Sequence, residues 1–115
     1  MSEYLFLYRG GDQGVAELSP EQLQQRTMKW ASWIKGLAEN GHLKDMGQPL
    51  EGGGAVAYAN GVVTDGPFAE AKDLIGGYTI VLADSLAEAT ALTAGCPGFD
   101  FGGCVEVRPV RKISM

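Results

Sequence analysis

The sequence predicts one α+β domain spanning residues 1–115, with the order strand, helix, hairpin of two strands, strand, helix, strand. Three observations predict it. Tyr4-Leu5-Phe6-Leu7-Tyr8 and Gly77-Tyr78-Thr79-Ile80-Val81-Leu82-Ala83 are apolar on both faces of an extended chain. Ser19 and Ser85 each begin a capping box that opens a helical stretch. Asn60-Gly61 stands between two short apolar runs, the strongest short-range hairpin signal.

In Tyr4–Tyr8, the three aromatic residues point one way and Leu5 and Leu7 the other. A strand covered on one side alternates apolar with polar, so this one is expected at the centre of a sheet covered on both faces. Gly10-Gly11-Asp12 breaks it. Ser19-Pro20-Glu21-Gln22 then combines a capping serine, a proline at the first helical position and a reciprocal Gln22. Leu23, Thr27, Trp30, Ile34, Leu37 and Ala38 follow at helical spacing as one apolar face, which leaves Trp33 off the stripe. Asn40-Gly41 ends the helix.

Residues 43–53, with Gly47, Pro49, Gly52 and Gly53, read as a loop. Ala55–Ala59 and Val62–Thr64 form the hairpin, with a type I′ turn that sets both Asn60 and Gly61 at positive φ. A charged irregular segment leads on to the strand at Gly77–Ala83. Ser85-Leu86-Ala87-Glu88 opens the second helix, which Gly95 and Pro97 stop. Phe99 to Gly103 turn the chain into a last strand, Cys104–Arg108, ended by Pro109.

This is a ferredoxin-like β-α-β-β-α-β core, with the hairpin either an addition or partly continuous with the strand after it. Such a sheet carries both helices on one face. The two-sided strands make the other face apolar too, and a second copy of the sheet is its natural cover. A symmetric homodimer is therefore expected.

Composition excludes several classes. A net charge of −5 argues against a nucleic-acid partner, and the small C-terminal basic cluster Arg108, Arg111 and Lys112 reads as a solvated tail. No run reaches the roughly 18 apolar residues of a membrane span, and the N-terminus lacks the pattern of a signal peptide. Two cysteines, Cys96 and Cys104, and one histidine offer too few ligands for a zinc site. They read as free thiols, buried or half-buried, in a reducing cytoplasm; no metal and no cofactor is expected.

Residues 64–77, Thr-Asp-Gly-Pro-Phe-Ala-Glu-Ala-Lys-Asp-Leu-Ile-Gly-Gly, carry the densest chemistry. Together with Val63 before them and Tyr78 after, they resemble the signature of the DGPF branch of the YciI-like (YCII-related) family. The Tyr-Leu-Phe-Leu-Tyr strand before Leu-Ser-Pro-Glu, Trp30-x-x-Trp33 leading to Gly41-His42-Leu43, Cys96-Pro97, and Val105–Val110 extend the resemblance over residues 4–110. It implies a dimeric α/β barrel, a ferredoxin-like protomer paired through its sheet. Relatives with this barrel include metal-independent isomerases, lyases and monooxygenases. DGPF members are often encoded beside sigma factors of the extracytoplasmic-function type, which implies a regulatory partner. The wider group implies a His on the first helix and an Asp before a Pro after the second. Here the first helix has no His and Cys96 precedes Pro97, so that dyad does not carry over.

Asp65 is the candidate catalytic base, provided burial raises its pKa; before Gly66-Pro67 it is equally a turn former. Phe68 reads as a core plug. Glu70 and Lys72 are candidate ligand-binding groups, Lys72 for a carboxylate or enolate, or else a solvated pair. Trp30 is expected in the core. Trp33 is the candidate wall of a ligand pocket or a dimer contact. His42 is a candidate ligand contact, against a role at the helix C-terminus or plain exposure. Glu106 and Arg108 alternate with Val105 and Val107 and face either solvent or the barrel interior. The expected function is a homodimer that binds a small molecule near the Asp-Gly-Pro-Phe loop. The alternatives are a cofactor-independent enzyme with Asp65 as base, and an interaction module tied to a sigma factor.

Overall fold

The computed structural model describes residues 1–11, 14–66 and 73–114. Four strands form one antiparallel sheet: β1 (Ser2–Arg9), β2 (Leu43–Asp45), β5 (Ile75–Ala83) and β6 (Cys104–Pro109), in the spatial order β2-β5-β1-β6. A separate two-stranded sheet pairs β3 (Gly54–Ala57) with β4 (Val63–Gly66). Helices α1 (Pro20–Glu39) and α2 (Leu86–Ala91) pack on one face of the larger sheet. The fold is thus α+β, with a four-stranded antiparallel sheet, helices and an added hairpin.

β1 and β5 take the two central places of the sheet, as their two-sided composition predicts, and the helices cover one face. Tyr4 and Phe6 of β1 and Thr79, Val81 and Ala83 of β5 are buried on the helix side. Leu37 of α1 and Ala89 of α2 close on Tyr4, Phe6, Val81 and Ala83, and Trp33, Ile34, Leu92, Val105 and Val107 pack around them. The alternate residues Leu5, Leu7, Tyr78, Ile80 and Leu82 are half-buried on the other face.

Ser19 caps α1 as expected. Its hydroxyl accepts from Gln22 N at 3.2 Å, and Gln22 Oε1 accepts from Ser19 N at 2.9 Å. At the other end, His42 N donates to Leu37 O at 2.9 Å and Gly41 N to Ala38 O at 3.1 Å, a Schellman closure. Ser85 caps α2 through Glu88 N, but Glu88 turns its carboxylate to Asp84 N at 3.4 Å rather than back to Ser85.

Four sequence expectations are corrected. The sheet's second strand is β2, inside the stretch read as a loop. Three residues are too few to show a period, and Lys44 and Asp45 are polar because β2 is an edge strand. The hairpin, for which the sequence left two arrangements open, is the addition rather than a continuation of β5. Its turn is not type I′: among the described residues no non-glycine has positive φ, and only Gly61, at +86°, is left-handed in this turn. Gly61 N donates to Tyr58 O and Tyr58 N to Val62 O, which makes a three-residue loop closed by a left-handed glycine. Asp65 lies in β4, opposite Ala55, and not in an irregular segment. Finally, the core stripe of α1 runs through Trp33 and Leu37, while Leu23, Thr27 and Ala38 are exposed.

Gly47 holds the segment after β2 against β5. It is buried with φ at +72°, and a Cβ there would run into the carbonyl of Tyr78. This close approach lets Tyr78 N reach Gln48 O at 3.3 Å and Leu50 N reach Gly76 O at 2.8 Å.

Candidate functional site

On the helix side of the sheet, a cavity of about 690 Å³ opens between α1 and the β2–β3 connection. One flank of α1 supplies Arg26, Thr27, Trp30, Ala31, Ile34 and Lys35, spaced three and four apart and so on one side of the helix. The sheet supplies Tyr8, Tyr78 and Thr79, and the connection supplies Met46, Gly47, Gln48 and Pro49. Arg9, Cys104 and the four glycines Gly11, Gly76, Gly77 and Gly98 line the rest, and the glycines leave part of that wall bare backbone. The volume falls within the range of small-molecule sites, and the walls are mainly apolar, as such sites require.

An aromatic cluster shapes the inner end. Tyr8 meets Trp30 edge-on with ring centroids 4.9 Å apart, and Trp30 meets Trp33 edge-on at 5.8 Å. Trp33 stacks on Phe6 at 6.2 Å and packs against the core. Trp33 also borders a shallow surface groove on the other flank of α1, with Gln25, Met28, Lys29, Ser32 and Gly95. That groove is floored mostly by exposed residues of one helix and encloses little. The two tryptophans thus divide the work differently from the sequence pattern: Trp30, placed by that pattern in the core, walls the cavity.

The cavity's polar feature is a chain of hydrogen bonds. Tyr8 Oη donates to Thr79 Oγ1 at 2.7 Å, and Thr79 Oγ1 donates to the Met46 carbonyl at 2.9 Å. Burial pushes the Tyr8 pKa well above the ordinary tyrosine range, against a smaller opposing pull from the Thr79 hydrogen bond. Burial likewise pushes the nearby Cys96 thiol up to about 11, although Gly98 N donates to its sulfur at 3.4 Å. Both groups therefore stay protonated at neutral pH, and neither is a base or nucleophile there. The charged residues of the lining, Arg9, Arg26 and Lys35, are all cationic. Arg26 Nη2 donates to Gly11 O at 3.1 Å, and its guanidinium lies 5.0 Å over the Phe101 ring.

Arg9 braces the sheet edge beside the cavity. Its Nε binds Glu106 Oε1 at 2.7 Å and its Nη1 donates to Asp73 O at 2.7 Å. Arg9 first, and Arg108 at 3.2 Å second, hold the Glu106 carboxyl below its usual range. Glu106 and Arg108 therefore act as a pair, on the sheet face opposite the helices.

Asp65 is exposed on the hairpin and does not line the cavity. His42 is half-buried at the C-terminus of α1, also off the cavity. Its Nδ1 donates to Leu82 O at 2.8 Å, which assigns the proton to that nitrogen, and stands 3.9 Å from Glu88 Oε1. Phe68, Glu70 and Lys72 lie outside the described residues. The structure does not bring Asp65, His42 and Trp33 together. What sequence reasoning missed is the Tyr8–Thr79–Met46 chain; its only sequence signal is a polar Thr79 within an otherwise apolar central strand.

Cys96 is buried, Cys104 is exposed, and both are free thiols. Among the described residues no three His, Cys, Asp or Glu side chains gather at metal-ligand spacing. Among them, too, no helix is long and apolar enough to cross a membrane. No curated protein matches the sequence. The family model of the YCII-related domain matches residues 3–114, nearly the whole chain, and the protein belongs to the YCII-related family.

Proposed function

We propose that this protein is a cytoplasmic homodimer of the DGPF branch that binds a small, flat, mainly apolar organic molecule in the cavity beside α1. The observation that carries the reading is the cavity itself: about 690 Å³, apolar walls from Trp30, Ala31 and Ile34, and one convergent polar chain at Tyr8. The Asp65-Gly66 step followed by Pro67 and Phe68 supports the branch. The order β2-β5-β1-β6 supports a ferredoxin-like protomer. The apolar outer face of Leu5, Leu7, Tyr78, Ile80 and Leu82 supports pairing of two sheets. Because Asp65 lies off the lining, binding is favoured over acid–base chemistry from that carboxylate.

The test is a thermal-shift screen of flat aromatic alcohols, amines and acids on the wild type and on Ala31→Trp, which fills the cavity from α1. Binders raise Tm in the wild type by mass action and lose that effect in the variant. Binders that act equally on both proteins would show that the cavity is not the site. Native mass spectrometry reads the dimer separately, as twice the chain mass.

A further inference from the structure

We propose that Tyr8 offers the cavity an acceptor only, so that the bound molecule presents a hydroxyl or amine donor to it. The inference rests on the cavity being the binding site, and it follows from counting protons along the chain. A carbonyl oxygen can only accept, so Thr79 must give its single hydroxyl proton to Met46 O. Thr79 Oγ1 can then only accept from Tyr8. Tyr8 has one proton and it is committed, which leaves lone pairs on its oxygen and nothing to donate. Reversing the direction would cost the Thr79 hydroxyl its bond to Met46 O without adding another bond within the chain.

A ligand atom that is itself an acceptor would therefore set lone pairs against lone pairs at Tyr8. A hydroxyl or amine completes the chain instead, donating to Tyr8 as Tyr8 donates to Thr79. Burial reinforces this by keeping Tyr8 protonated, so its proton stays in the bond to Thr79. The surrounding shape selects the rest of the molecule. Trp30 stands edge-on to Tyr8, and with Ala31 and Ile34 it gives the cavity an apolar wall that suits a planar ring. The ligand class is a planar aromatic alcohol or amine.

Two probes differ only in the donor: 2-naphthol and 2-methoxynaphthalene. Titration calorimetry is expected to show 2-naphthol binding wild type roughly tenfold more tightly, the scale of one hydrogen bond. Tyr8→Phe should equalise the two. Thr79→Val should do the opposite: it frees the Tyr8 proton, so 2-methoxynaphthalene gains affinity over its wild-type value. Circular dichroism confirms that each variant is folded, and either variant alone keeps the test decisive. Equal affinities in wild type, or a preference that survives Tyr8→Phe, would overturn the acceptor assignment while leaving the cavity as the site. Failure of both probes to bind wild type, or binding unmoved by Ala31→Trp, would remove the cavity reading and this one with it.

Discussion

The four-stranded sheet and the β3–β4 hairpin are built from the same kind of antiparallel ladder, yet they are stabilised in opposite ways. The sheet sends Phe6 and Val81 into a fully buried layer under two helices. The hairpin buries nothing fully: Val56 and Gly66 are half-buried, and Tyr58, Val62 and Val63 are 44%, 49% and 64% exposed. The molecule measures 48 × 45 × 18 Å with a radius of gyration of 15.7 Å, against about 13 Å for a compact chain of this length. An isolated two-stranded ladder is marginal in water, whereas a sheet with a covered face is not. The lesson is that backbone pairing sets geometry and burial sets stability. The hairpin is the arm of this molecule, and the sheet is its body.

Three substitutions break or sharpen the contrast. The largest effect is expected in the body. Phe6→Ala removes a fully buried ring that stacks on Trp33, and should lower unfolding stability by about 4 kcal/mol in a urea melt. A loss under about 1 kcal/mol would mean that the layer is not the main source of stability.

The arm should respond locally. Gly61→Ala forces a side chain into the left-handed region, at about 1–2 kcal/mol. Because the arm contributes little to the body, hydrogen exchange at the Tyr58 amide should accelerate about tenfold while the global urea midpoint holds. A matching fall in the global midpoint would show that the arm is seated on a partner copy.

The smallest effect concerns Glu106 at the sheet's rim. Its carboxyl is held below the ordinary 4.5 in the folded protein by Arg9 and Arg108. Its contribution is therefore present above the unfolded pKa and lost as pH falls through the folded one. Glu106→Gln should flatten the acid limb of the stability curve below about pH 4.5 and give a constant offset above it. An unchanged acid limb would show that the Arg9 pair is too solvated to matter.

Much of the body was legible from the chain. Phe6 and Val81 lie in runs whose two-sided apolar pattern has one physical meaning, and Ser19 with Gln22 forms a cap from four consecutive residues. Where a feature depends on distant partners, the pattern misled or fell silent. The stripe from Leu23 to Ala38 takes in Trp30 and leaves Trp33 off, and only the stacking on Phe6 shows that Trp33 turns to the core. Leu43–Asp45 is a strand because β5 offers it an edge, not because three residues carry a period. Asn60 avoids positive φ because the loop takes a third residue before it closes. The cavity joins Tyr8, Thr79 and Met46 across 71 and 33 positions of sequence, so no local motif could announce it.

Helix α1 serves two masters along its length. Trp33 and Leu37 hold it to the core, while Thr27, Ala31 and Lys35 border the cavity and are exposed. Ile34 belongs to both sides, but Thr27, Ala31 and Lys35 border the cavity without packing on the core. Exchanges at the second set leave the buried layer untouched, and surface exchanges of that kind usually change stability by less than about 0.5 kcal/mol. The helix can therefore be retuned for a new ligand without endangering the scaffold that carries it. One protein architecture can in this way supply many specificities, with adaptation confined to a single stripe of side chains.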